Sequence, residues 1–369
     1  MSKLLKILVV GLVFPFMGAC GGDESSFSLL ADADIFQQAS GSNDKVDILW
    51  VIDNSGSMAT SQSNLANNMN SFISEFQSKN LDFRMTVIGT DSFRQQFGGS
   101  NVCSDLRDGP VRYNFSTNTC QETGTHNGYP IITPGTPDML NSFLNNVLQG
   151  TQGYGDERPF QSISTSLSSA NNSAFLRNDS FLSVIILTDE DDFSHDGSNN
   201  LQNNSQGVNH PSLHSVQSYI DYLDGVTGTS GSSRRYNVNS IAIQDAACRD
   251  FLNQSWQGRK IGIRVNDLAD QTNGLKGDLC GDFASDLSSI ADNILTLATQ
   301  FYLSREPIPS TIVVKVNGSV VPERNSNPLG DGGWEWDQAS NSIRFFGSNY
   351  FPAAGSSIEV TFDPVQYGG

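Results

Sequence analysis

From residue 45 onward the chain alternates two hydrophobic textures. Short continuous apolar runs at 46–52 (VDILWVI), 83–89 (FRMTVIG), 181–189 (FLSVIILTD) and 236–243 have the length of strands buried on both faces of a parallel sheet. Between them, apolar residues recur at helical spacing. Leu65, Met69, Phe72, Ile73 and Phe76 mark one helix, and Met139, Leu140, Phe143, Leu144 and Val147 mark another over 137–148. Further helices are predicted at 157–171, about 211–224, near 265–272 and at 283–298, the last with Leu287, Ile290, Ile294 and Leu297 on one face. Such alternation predicts an α/β fold: right-handed βαβ units and a doubly wound, mostly parallel sheet with helices on both faces. Residues 91–135 and 194–209 are rich in Gly, Asn, Ser and Thr and read as irregular insertions.

The texture changes after Arg305. Pro307 and Pro309 interrupt the chain, and residues 310–321 alternate around Asn317-Gly318, a strong hairpin turn signal. Short strands follow at 342–347 and 357–362, and the alternation of Trp334 and Trp336 marks one face of a core. Residues 306–369 are therefore predicted to form a small antiparallel β-sandwich, following a larger domain over 45–305.

The opening segment has a different character. Lys3 and Lys6 precede an apolar run from Ile7 to Met17, too short to span a bilayer, and Met17-Gly18-Ala19-Cys20 closes it. That stretch resembles the lipobox of bacterial lipoproteins. The resemblance implies that residues 1–19 are a signal peptide, that Cys20 is lipidated, and that the protein is anchored in the cell envelope. Gly21 after the cysteine favours an outer membrane by the same resemblance. Residues 20–44, rich in Gly, Ser and Asp, read as a flexible tether.

Composition narrows the function. With 39 Asp+Glu against 21 Lys+Arg, a net charge of −18 and no basic stripe, nucleic acid is excluded as a partner. Four cysteines remain beside Cys20, and an exported chain favours disulfides. Of three pairings, Cys103–Cys120 and Cys248–Cys280 are preferred because each closes a local loop; free thiols are the alternative.

The candidate chemistry lies where the first buried run ends, in Asp53-Asn54-Ser55-Gly56-Ser57-Met58. Ligands of open parallel sheets bind at the carboxyl edge, where strands give way to helices. One carboxylate and two hydroxyls at alternate positions of that turn form an all-oxygen donor set. Such a set selects a hard cation, Mg²⁺ first, with Mn²⁺ or Ca²⁺ as alternatives.

Here residues 45–305 resemble the von Willebrand factor A (vWA) family, whose metal-ion-dependent adhesion site (MIDAS) has the pattern Asp-x-Ser-x-Ser. The resemblance implies a further ligand from a strand end deeper in the chain, a role that Asp189 fits. It also implies a Thr from the middle loop, where this sequence departs: Gly153-Tyr154-Gly155-Asp156-Glu157-Arg158 puts Glu157 or Asp156 there, and Thr151 lies too early. In the usual vWA arrangement, neutral hydroxyls leave the cation under-neutralised, with an open position for a partner's acidic side chain. A directly bound Glu157 would weaken that pull by up to about 4 kcal/mol at 4 Å and an effective dielectric near 20.

The remaining signals point elsewhere. Glu190, Asp191 and Asp192 are expected to form a solvated acidic loop. His210-Pro-Ser-Leu-His214 lacks the Glu of a zinc protease motif and reads as a helix N-terminus. Neither a Gly-x-Ser-x-Gly elbow nor a phosphate-binding glycine loop occurs, so no enzyme is expected. The sequence points to an envelope-anchored, metal-dependent adhesion module whose partner is a protein, for instance on another cell. The alternative is an envelope scaffold whose metal is purely structural.

Overall fold

The computed structural model describes residues 32–37, 45–78, 81–98, 100–178, 180–231, 234–347, 349–352 and 356–365; the expected leader and Cys20 lie outside them. In chain order the first half comprises β1 (Asp32–Gln37), β2 (Lys45–Ile52), α1 (Ala59–Ser78), β3 (Asp82–Gly89), the short β4 (Val111–Asn114), β5 (Thr119–Glu122) and β6 (Ile131–Ile132), then α2 (Met139–Val147) and α3 (Pro159–Ser168). The chain continues through β7 (Phe181–Leu187), α4 (Val216–Thr227), β8 (Tyr236–Ala242), α5 (Ala246–Leu252), α6 (Ile263–Gln271), β9 (Lys276–Asp278) and α7 (Phe283–Ala298). It ends with β10 (Phe301–Tyr302), β11 (Val313–Val316), β12 (Ser319–Val321), β13 (Gly333–Asp337), β14 (Ser342–Phe346) and β15 (Ser357–Phe362).

The central sheet has the order β6-β3-β2-β7-β8-β9. Every pairing is parallel except that of the edge strand β6 with β3. Strand β2 shows why the sheet is doubly wound. Val46, Ile48, Trp50 and Ile52 pack with apolar residues of α1, α2 and α7, while Leu49 and Val51 pack on the other face with residues of α3, α4 and α6. Both faces are dry, so the strand reads as an unbroken apolar run.

The four long strands and their helices lie within a few residues of their predicted positions. Helix α4 is the exception, starting at Val216 rather than about 211, where Ser215 accepts a hydrogen bond from the Ser218 N–H (3.2 Å). Proline at 211 fits the turn before it. His210 and His214 therefore lie in that preceding loop, with His214 bonded to the hydroxyl of Tyr219 (2.8 Å).

Beyond the central sheet, two antiparallel sheets, β1-β15-β11-β12 and β10-β14-β13, face each other. Val314, Ile358, Val360 and Phe362 from one meet Phe301, Trp334, Ile343 and Phe345 from the other, with Trp336 packed alongside. The hairpin turns at Asn317 (φ 50°) and Gly318 (φ 80°), the left-handed pair that a two-residue connection requires.

Two expectations are corrected here. Residues 32–37, expected in the tether, form a strand that pairs antiparallel with β15. Strand β10 likewise places the sandwich boundary before 306, since it pairs with β14. The physical reason is shared: β15 and β14 each have an edge with unpaired backbone groups, and a passing segment satisfies them.

Cys103–Cys120 and Cys248–Cys280 are disulfide-bonded, as preferred from the sequence. The first closes a small cluster with Val111 and Tyr113 inside the 91–135 insertion. The second ties α5 to the loop before α7, and so fixes the base of the segment that returns to the carboxyl edge of the sheet.

Candidate metal centre

At the carboxyl edge, β2 and β7 run side by side, and the Asp53 N–H still bonds the Leu187 carbonyl (2.9 Å). The chain then turns sharply. One oxygen of the Asp53 carboxylate accepts from the Ser55 N–H and the other from the Thr188 hydroxyl, each at 2.8 Å. Ser55 and Ser57 bring their hydroxyls to 3.3 Å, and Ser57 donates to Asp189 Oδ1 at 2.9 Å. Four of the predicted residues, Asp53, Ser55, Ser57 and Asp189, are thus joined in one hydrogen-bonded array.

The neighbouring loop is docked from the other side. Gln62 of α1 donates to the carbonyls of Asp53 and Gly150, both at 2.8 Å, and Gly153 N–H bonds the Asn54 carbonyl at 2.8 Å. Gly153 cannot be replaced without rebuilding this contact, because a Cβ there would lie 2.1 Å from the Asn54 side chain. The loop continues into Asp156 and Glu157, and their environments differ. Asp156 is paired with the fully buried Arg158 (2.6 Å). Glu157 is fully buried, and neither carboxylate oxygen makes a well-formed hydrogen bond among the described residues, although the Thr90 hydroxyl lies close enough to favour its ionised form. Its electrostatic neighbours are Asp53 and Glu190, so it faces the array, with Asp156 turned away into an ion pair.

Burial drives the electrostatics. The Asp53 carboxyl is pushed up to about 7, first by burial and then by the charge of Asp189. Glu157 is raised well above the ordinary range by burial and then by Asp53 and Glu190. Glu190 is raised for the same reasons, with Asp53 and Asp189 as the neighbouring charges. Asp189 is also raised by burial, offset by its bonds from Ser57 and Arg259. Like charges crowded in a dry site cannot all stay ionised unless a cation neutralises them.

The acidic run after Asp189 is not a solvated loop, which corrects the sequence expectation. Glu190, Asp191 and Asp192 are all buried. Asp191 accepts from the N–H groups of Ile263, Arg264 and Val265 and so caps α6 (2.9–3.2 Å). Asp192 receives the Phe160 N–H (3.1 Å) and pairs with Arg264 (3.1 Å). Asp191 and Asp192 thus serve helix ends, which explains why the chain buries them, whereas Glu190 stays beside the array.

Several site residues carried no sequence signal. Arg259, about seventy residues beyond Asp189, donates to Asp189 Oδ2 at 2.7 Å and to the Ser57 carbonyl at 3.2 Å. The ring of Trp256 lies beside Gly56, whose added Cβ would meet it at 3.0 Å, and more than half of Trp256 is exposed. Thr188 had a findable signal, a hydroxyl adjacent to a predicted ligand. Arg259 and Trp256 follow α5, a short helix the periodicity does not reveal.

The residues present fit a hard divalent cation. All donors are oxygens, and both oxygens of Glu157 and one of Glu190 are buried and unsatisfied. Among the described residues no three of these carboxylates bring oxygens within 4.8 Å of one another, and the Ser55 and Ser57 hydroxyls are the further oxygens beside them. The group that does converge, Cys248, Asp278 and Cys280, is no metal site, since its thiols are joined in a disulfide.

No known family model and no curated protein matches the chain. Among solved structures, it is similar to a pilus adhesin, SpaC from Lactobacillus rhamnosus GG, at 12% identity and TM-score 0.39, covering 86% of this chain and 38% of that one. It is also similar to a von Willebrand factor type A protein from Catenulispora acidiphila, at 12% identity and TM-score 0.37, covering 92% and 66%. A third similarity is to proximal thread matrix protein 1 from the mussel byssus, at 11% identity and TM-score 0.36, covering 71% and 50%. The chain thus spans between about two-fifths and two-thirds of these structures.

Proposed function

We propose that the protein is an envelope-anchored, non-catalytic adhesion or protein-binding module, tethered through Cys20, that captures an acidic residue of a partner protein through a MIDAS-type divalent cation. Asp53, Ser55, Ser57, Glu157 and Asp189 would hold the ion, Mg²⁺ first, with Mn²⁺ or Ca²⁺ as alternatives. The observation that carries this reading is Glu157: a buried carboxylate beside Asp53 and Glu190, with no cationic partner among the described residues and only the Thr90 hydroxyl to favour its charge, is an arrangement a protein keeps when something positive is meant to sit there. The bound ion would supply an electropositive coordination position for the partner's carboxylate. The protein's own residues fix the ion's depth and hold the two hydroxyls in place. Ser57 is half-buried and Gly56 exposed, so the array opens to solvent at the turn.

A second reading, a closed structural metal, is favoured by the burial of Glu157 itself, since a third anionic ligand reduces the pull on an incoming acid. The two readings separate in a sequential titration. Calorimetry with Mg²⁺, and then with a glutamate-containing peptide, should show peptide heat only after metal loading and none in EDTA. Metal heat without any peptide response would favour the structural site.

A further inference from the structure

The buried charges around the site can be matched one by one. Asp156 pairs with Arg158, Asp192 with Arg264 and Asp91 with Arg107, while Asp191 is held by the N-terminus of α6. Asp53, Glu157, Asp189 and Glu190 are left around the serine hydroxyls, with Arg259 ion-paired to Asp189 and Lys260 acting on Glu190 from a distance. Arg259 is itself nearly buried, and each of its three nitrogens donates at least one hydrogen bond. Beyond Asp189 and Ser57, Nη1 donates to the Leu252 carbonyl at 2.5 Å and to the Trp256 carbonyl at 2.8 Å. Three backbone carbonyls therefore hold the guanidinium in one place. It uses the outer oxygen of Asp189, whereas Ser57 uses the other. The guanidinium therefore bonds Asp189 and the Ser57 carbonyl and donates to the hydroxyl of neither Ser55 nor Ser57.

We propose that Arg259 is a built-in counter-charge: it cancels the negative charge that Glu157 adds to the site, so that a bound cation keeps its pull on an acidic ligand. The inference rests on the adhesion reading above and makes Arg259 a positioning and specificity residue. Its charge lowers the affinity for the cation itself and raises the affinity of the loaded site for a carboxylate, because the same field acts with opposite sign on the two. A purely mechanical clamp has the opposite signature. Loss of a clamp loosens Asp189 and weakens both.

The test is Mn²⁺ affinity, followed by calorimetry and by melting in EDTA against Mn²⁺, for Arg259→Gln, Glu157→Gln and the double variant. Arg259→Gln should bind Mn²⁺ roughly tenfold more tightly, from the Coulomb term alone. It should melt lower than wild type in EDTA and regain the difference on loading. Glu157→Gln should bind Mn²⁺ more weakly, and the charge-balanced double variant should return close to wild type. Arg259→Lys should stay near wild type. If Arg259→Gln binds Mn²⁺ equally or more weakly while wild type binds it, the counter-charge is refuted and the metal reading survives. Should Arg259→Gln fail to fold, the double variant decides: recovery supports charge balance, and continued failure identifies a clamp. Absence of Mn²⁺ binding by wild type itself would instead remove the metal reading.

Discussion

Asp53→Asn is expected to leave the metal-free protein as stable as wild type or more so at pH 7, and to abolish stabilisation by Mg²⁺. The first half follows from the carboxyl's position at about 7 in the folded protein against an ordinary value of 3.8. Below pH 4 the group is protonated in both folded and unfolded chains and contributes nothing. Between about pH 4 and 7 the folded chain holds a proton that the unfolded chain has released, so stability falls as pH rises, and the loss is complete above the folded value. Three units correspond to about 4 kcal/mol, an upper figure for a site whose carboxylates share their protons. Asparagine removes that cost and keeps an acceptor for the Ser55 N–H, while the Thr188 hydroxyl can reverse its role. Melting curves in EDTA and in Mg²⁺ from pH 4 to 8 check this. Wild type should lose stability with pH in EDTA and regain it with Mg²⁺, whereas the variant should lose less with pH, because only Glu157, Glu190, Asp189 and Asp191 remain raised, and should gain nothing from Mg²⁺. A variant destabilised in both conditions, beside a wild type indifferent to Mg²⁺, would show that Asp53 merely braces the turn.

Arg158→Met is expected to carry the largest destabilisation of any single change near the site, about 3–5 kcal/mol, because it strands a buried carboxylate. Arg158 is fully buried between Asp156 and the carbonyls of His195 (3.0 Å), Gly197 (2.9 Å) and Asn199 (2.8 Å), with the Phe93 ring 4.4 Å from its guanidinium carbon. One side chain thus closes the 193–200 loop over the start of α3. The urea midpoint should fall accordingly, and Asp156→Leu in the same chain should restore part of the loss by removing the stranded charge. A shift under 1 kcal/mol would mean that water reaches Asp156 when Arg158 is gone.

The central strands and the turn of Asp53 were legible because a strand dry on both faces must be written in unbroken apolar residues, and Asp-x-Ser-x-Ser follows one directly. The hairpin at Asn317-Gly318 was legible for a similar local reason: the left-handed backbone there restricts the residue choice. Strands β6 and β9 were not, since edge strands of two and three residues leave too short a pattern. Residues 32–37 pair with a strand more than three hundred residues away, and nothing local records that. The choice between Asp156 and Glu157 was open because adjacent acids look alike in sequence; what separates them is Arg158 claiming the first. The burial of Glu190, Asp191 and Asp192 is not legible because composition marks acids as surface residues, whereas helix N-termini and Arg264 make burial of Asp191 and Asp192 tolerable.

The central claim is that oxygen atoms from the first strand's turn, from Asp189 and from Glu157 enclose one divalent ion. Anomalous diffraction from a crystal soaked in Mn²⁺ tests it most directly. A single peak within coordination distance, about 2.0–2.3 Å, of the Ser55 and Ser57 hydroxyls and a Glu157 oxygen is the expected result. An empty turn in that crystal, with Asp189 still paired to Arg259, would contradict it.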